Sequence, residues 1–159
     1  MALSDFNLIT DRTQADVDRY IELRSMNWHT MTDEEKAEWG THLKGAYNYT
    51  DMNRVESAVE YVANRLTEAG YSIAPVVKKN WLVTDKPTLE DLKRYMRNIA
   101  DIRSAIITYA TTPKAPSTEK RLSYKEANDI EKILTDVDEL ITKMSKAEYY
   151  FGDLFLGEV

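Results

Sequence analysis

Two histidines, His29 and His42, are the side chains best suited to proton transfer near neutral pH, and they stand thirteen positions apart beside Trp28 and Lys44. A carboxylate-bridged two-metal bundle needs a glutamate three positions before each histidine, but Met26 and Trp39 occupy those places. Glu38 and His42 are four apart and could share an ion only if a helix continued through Gly40, where glycine disfavours it. Both histidines are therefore expected to be ordinary polar residues. The acids Asp129, Glu131, Asp136, Asp138 and Glu139 are rich enough in oxygen for a hard cation. No glycine turn gathers them, so the spacing predicts a solvated acidic face. Glu56 and Glu60, one helical turn apart, are the pair that could act as acid and base on a glycoside, and their spacing also predicts a solvated face. Cysteine is absent, which removes thiol nucleophiles and thiolate metal sites, and no nucleophile elbow, phosphate loop or dinucleotide fingerprint occurs. The residues thus predict no catalytic group, no cofactor and no metal: a chain that is not an enzyme.

The charge balance narrows the partners. Lys plus Arg number 21 against 27 for Asp plus Glu, a net charge of -6, which is the wrong sign for neutralising phosphates. Lys93, Arg94, Tyr95, Arg97 and Arg103 form a mildly basic cluster, but Glu90, Asp91 and Asp101 dilute it. No nucleic acid is expected as a partner. No apolar run approaches the roughly 20 residues that span a bilayer, so no membrane partner is expected. Met1 to Thr10 has neither a basic start nor an apolar stretch, which predicts synthesis in the cytoplasm without a secretion signal. Aromatic residues are the more informative feature: ten tyrosines and three tryptophans, several outside any helical stripe, among them Trp28, Tyr47, Tyr49, Trp81 and Tyr109. Their apolar bodies and polar tips suit protein contacts or sugar stacking, and also suit closing the ends of a small core. Residues 149–159 form an apolar tail with glycine joints, which either folds back on its own domain or docks on a neighbour. Tyr150, Phe151, Leu154 and Phe155 are the expected docking residues, with Trp28 and Tyr47 second.

Helices must position all of these groups. A hydroxyl at the cap with an acid three positions later satisfies first-turn amides, and the pattern occurs at Thr13/Asp16, Thr32/Glu35, Thr88/Asp91 and Ser123/Glu126, with Thr50/Asn53 a weaker fifth. Behind Thr13, the residues Val17, Tyr20, Ile21 and Arg24 recur at helical spacing. Thr32 opens a short acidic segment to Trp39. After Thr50, the series Met52, Val55, Val59, Val62, Leu66 and Ala69 predicts a core helix that Gly70 stops. Leu89, Leu92, Tyr95, Met96, Ile99, Ile102 and Ile106 predict a second long helix, and Ala127, Ile130, Ile133, Leu134, Val137, Leu140, Ile141 and Met144 a third. Residues 71–87 contain Pro75, Val76 and Val77, then Trp81 to Val83 and Pro87, which predict a short β or extended segment. The expected fold is mainly α: a helical bundle of three long helices, taken as antiparallel, with two shorter N-terminal helices packed across it. Residues 1–159 are expected to form a single domain, with 111–122 an internal connector.

Several stretches together resemble a known family. They are Thr10-Asp11-Arg12-Thr13 with Asp16-Val17, Met31-Thr32 with Glu35, Glu38 and Trp39, and Lys44-Gly45-Ala46-Tyr47-Asn48 continuing through Thr50-Asp51, Asn53-Arg54-Val55-Glu56 and Ala58-Val59-Glu60-Tyr61. Glu126-Ala127-Asn128-Asp129-Ile130-Glu131-Lys132-Ile133-Leu134 and the closing Gly-x-Leu-x-x-Gly-Glu-Val complete the set. In these the chain resembles small proteins and C-terminal modules encoded among the tail genes of phages and prophages of Gram-positive bacteria. The resemblance implies a non-catalytic, tail- or baseplate-associated structural or interaction module, located in the virion after synthesis, with other tail proteins or further copies of itself as partners. It supplies no catalytic residues to transfer. The alternative is a cell-wall carbohydrate binder or weak hydrolase of phage origin, using the Trp and Tyr rings with Glu56 and Glu60.

Overall fold

A computed structural model describes residues 2–117 and 122–155, with side chains described as far as Ala147. A 3-10 turn at Leu3–Phe6 is followed by five α-helices among the described residues: α1 (Gln14–Ser25), α2 (Asp33–Trp39), α3 (Tyr49–Glu68), α4 (Leu89–Ala105) and α5 (Tyr124–Phe155). The fold is mainly α, as the apolar spacing predicts, and no strand occurs among the described residues.

The cap pairs set the helix starts. The Thr13, Thr32, Thr88 and Ser123 hydroxyls each accept the amide of the residue three on, whose carboxylate accepts the cap amide in return. The fifth start differs from the expectation: Asn48, not Thr50, caps α3, its side-chain oxygen accepting the Thr50 amide at 2.8 Å while Asp51 accepts the Asn48 amide. At the other end Gly70 takes φ +90°, which a side chain would disfavour, and the Tyr71 amide turns back to the Leu66 carbonyl.

The core lies where the three apolar stripes meet. Val55, Val59, Val62 and Leu66 of α3 pack with Tyr95, Ile99 and Ile102 of α4 and with Ile130, Ile133, Leu134, Val137 and Ile141 of α5. Each such aliphatic chain contributes about 1.5–3 kcal/mol by leaving water. The stripe on α1 departs from the expectation. Leu23 is the residue it buries, while Ile21 is exposed, because this short helix packs at the edge of the bundle against α2 and the Leu43–Tyr49 loop rather than across the core.

The direction of the long helices corrects the antiparallel arrangement. Arg54 of α3 pairs with Glu131 of α5, and Arg65, three turns further along α3, pairs with Asp138 and Thr142, so the two helices run the same way. Residues 71–81 return alongside α3 in extended form: Ile73 is bonded to Thr67, Lys78 to Glu56 and Trp81 to Asn53. Helix α4 therefore begins near the start of α3, with Arg94 at Glu56, and is parallel to both. The connector after α4 likewise runs back along α5, from Tyr109 at Lys143 to Thr112 at Asp136. The physical reason is length. An antiparallel neighbour needs only a short loop, whereas the nineteen or so residues between helices here, at about 3.3 Å each, amply cover the roughly 30 Å of α3.

Helix α5 continues through Gly152 to Phe155, about 48 Å at 1.5 Å per residue. Its burial ends near Ile141 and Met144, and residues 145–147 are exposed. The side chains of Tyr150, Phe151, Leu154 and Phe155 lie outside the described residues, as do residues 156–159. No helix among the described residues is long and apolar enough to cross a membrane.

Candidate functional site

Four distant stretches of sequence converge on one buried set of charges at the start of α3. Arg12, which is 4% exposed, donates to Asp51 at 3.1 Å and to Glu131 at 2.7 Å, and both carboxylates are fully buried. Arg54 reaches the same two acids at 2.6 and 3.1 Å, and the partly exposed His42 ring stands 3.2 Å from the second Asp51 oxygen. Glu131 also accepts the Ile9 amide at 2.5 Å, and Asn128 clamps the Arg12 backbone from both sides. Two guanidiniums against two carboxylates leave the set neutral, which is what allows it to be buried. The Nε atoms of Arg12 and Arg54 find no acceptor, so the arginines are held through their terminal nitrogens.

The loop before α3 is shaped to close over this set. Lys44 pairs with Asp11 at 2.7 Å, and Ala46 is buried. At Gly45 the loop passes so close to the first turn of α1 that an added Cβ would stand 2.0 Å from the Asp16 carbonyl oxygen. Tyr47 lies with its ring 5.4 Å from the Arg12 guanidinium carbon and its hydroxyl hydrogen-bonded to that of Tyr95. Burial holds both phenols above the ordinary tyrosine range. The motif residues Lys44 to Asn48 are thereby accounted for as architecture.

The remaining buried acids are also matched. Glu56, expected on a solvated face, is fully buried: it accepts two bonds from Arg94 at 2.6 and 2.7 Å, the Lys78 amide at 2.6 Å and the Trp81 indole at 3.1 Å. The same bonds hold the Arg94 guanidinium above its usual pKa. Glu60 is bonded instead to Lys79 on the surface, so the two glutamates are not brought together over a cavity. Glu131 and Asp136 also correct the solvated acidic face expected for the last helix: Asp136 is buried between Thr112, at 2.7 Å, and Lys132. Sequence periodicity missed them because a buried carboxylate looks like a surface one until its cation arrives from another element. Among the described residues no three metal-binding side chains gather, and Glu38 is taken by Arg19 rather than facing His42. The basic cluster on α4 is dispersed: Arg94 turns to Glu56, Arg103 to the Pro113 carbonyl, and Tyr95 into the core.

Beside the charged set lies an open groove of about 520 Å³ between α1, α2, the start of α3 and residues 81–87. Trp81 forms its floor. It is 2% exposed and clamped by Asn53, which accepts its amide at 2.8 Å and donates to its carbonyl at 2.9 Å, with the Lys78 ammonium 3.6 Å above the ring. Tyr20 and Trp39, stacked with centroids 6.1 Å apart and nearly parallel planes, make one wall, with Tyr47, Tyr49 and Met52 beside them. Leu82 and Val83 form an exposed lip, 60% and 78% accessible. Apart from the Tyr20 and Tyr49 hydroxyls, the main polar side chains of the groove are already engaged. Asp85 accepts the Leu82 amide and Lys78, which keep its carboxyl below the usual range, and Asn48 is spent capping α3. Such a surface can bind apolar and aromatic groups and offers no free acid, base or nucleophile.

Of the residues expected to make contacts, Tyr47 lines this groove, although its hydroxyl is occupied, and Trp28 lies apart from it, half exposed with Lys36 5.8 Å from its ring. The groove's Tyr20 is anticipated by the α1 spacing and its Leu82 and Val83 by the extended segment, but neither these nor Trp39 were expected as a contact surface. The available signal was the apolar run Trp81-Leu82-Val83 immediately before a turn. No protein-family model, curated protein or solved structure matches the chain.

Proposed function

We propose that this chain is a non-catalytic interaction module, associated with the tail or baseplate of a phage or prophage particle. The observation that carries the interaction role is the aromatic groove: a concave apolar surface of protein-binding composition whose floor is held by hydrogen bonds and whose Asp85 carboxylate and Tyr47 hydroxyl are already engaged. The matched buried acids support a non-catalytic role, since each of Asp51, Glu56, Glu131 and Asp136 is engaged by a cation of the chain itself. The dispersal of the α4 arginines, with the net charge of -6, supports protein rather than nucleic acid as the partner. The tail setting rests on the sequence resemblance.

Mass spectrometry of purified induced particles tests the setting. The chain is expected in fixed stoichiometry with tail proteins, and its presence in lysate but absence from particles would overturn it. The stacked Tyr20–Trp39 pair favours a second reading, a cell-wall sugar platform. Against it stands the engagement of Asp85, the groove's one carboxylate, by Lys78 and the Leu82 amide, and a pull-down on purified peptidoglycan with neither retention nor release of fragments removes it.

A further inference from the structure

We infer that the groove receives the last turns of α5 from a second copy of the chain, joining copies head to tail. This deepens the interaction role proposed above and rests on it. Because the three long helices are parallel, the groove lies at their starting end and the end of α5 lies at the opposite pole. Arg65, one turn before α3 ends, is level with Asp138 and Thr142. Residues 146–155 therefore run past the last turn of α3 and, because α4 ends level with Thr112 and Asp136, past α4 as well. Among the described residues no helix of the same copy accompanies them, and the bundle's own length keeps them from their own groove.

The projecting turns carry Tyr150, Phe151, Leu154 and Phe155 at spacings of three and four, the pattern by which a helix lays anchors into a groove. The groove offers the complementary chemistry: the Trp81 floor, the Tyr20–Trp39 wall and the Leu82–Val83 lip. Charge agrees with the pairing. From residue 146 on, the chain contains Glu148, Asp153 and Glu158 against the single base Lys146, and the exposed Lys86 stands between the groove residues Asp85 and Pro87. An interface made of two different patches is heterologous, so it propagates into a ring or a filament rather than closing as a dimer.

Sedimentation of the full-length chain across a concentration series tests this, using two variants: Val83→Glu on the exposed lip, and Phe151→Asp with Phe155→Asp on the tail. Circular dichroism checks that both keep the helical fold. The wild-type mass is expected to rise with concentration, and each variant alone is expected to stay at the 18.4 kDa of one chain. Mixed, the two variants are expected to form a complex of two chains and no larger, because one supplies an intact groove and the other an intact tail. A Val83→Glu variant that associates like the wild type would mean tail pairs with tail, and would overturn the inference; so would a wild type that stays monomeric. Either failure leaves intact the proposed association with a phage particle, which stands or falls on the particle analysis.

Discussion

The Arg12 guanidinium donates to the Glu131 carboxylate at 2.7 Å across 119 residues of sequence, with the two side chains 1% and 0% exposed. This contact ties the N-terminal segment to α5, and the Asp51 and Arg54 side chains extend it to α3. It is the junction at which residues 9–12, His42, 51–54 and 128–131 meet, and its chemistry is structural.

Removing one member of this set strands the others. Arg12→Ala is expected to cost about 3–5 kcal/mol, the range for breaking a buried ion pair. Glu60→Gln, at the surface pair with Lys79, is expected to cost under about 1 kcal/mol. Urea unfolding of the two variants measures the contrast, and equal effects would mean that the buried set contributes no more than a solvated pair.

Gly45→Ala is expected to destabilise by at least the roughly 1–3 kcal/mol of an overpacked site, since its Cβ meets backbone rather than a movable side chain. Gly40→Ala serves as the control, because there a Cβ finds ordinary contact distances of 3.4 Å or more. Thermal melting should separate the two.

Acid sensitivity should trace to the caps. Asp16 and Asp91 accept bonds from Thr13 and Thr88, which lower their pKa below the ordinary 3.8. A carboxylate lowered on folding binds its proton more readily when unfolded. The stability it contributes is therefore present above about pH 4 and is lost as pH falls through the folded-state value. Thr13→Ala with Thr88→Ala should shift the acid unfolding midpoint to higher pH, read by helical circular dichroism.

At the alkaline end the sign is reversed in pH. Tyr47 and Tyr95 are raised on folding by burial, so they favour the folded state below pH 10, and that stability declines as pH climbs past the unfolded-state value. Two of the ten tyrosines should then fail to ionise in an ultraviolet titration until the fold opens. Tyr47→Phe should leave one such tyrosine, Tyr95, whose hydroxyl would have lost its partner.

Much of the local structure was legible in the residues alone. Cap pairs such as Thr88 with Asp91, the stripe Val55, Val59, Val62 and Leu66, and Gly70 as a stop all act within a turn or two of the chain, so neighbouring residues suffice to dictate them. What spacing could not convey was where the partners of Glu56, Glu131 and Asp136 would come from. A carboxylate on a helix surface is solvated or buried depending on whether Arg94, Arg12 or Thr112 reaches it, and those residues belong to other elements. The parallel order of the long helices was likewise decided by the extended returns at 71–81 and after α4, whose length permits it and whose bonds to Asn53, Glu56 and Asp136 hold it. The groove exists for the same reason, since Trp81 is placed beside Tyr20 and Trp39 only once that return has carried it back to the start of α3. Short-range hydrogen bonding and apolar periodicity are properties of the chain's own order. Charge neutralisation and concavity arise only between segments brought together in space.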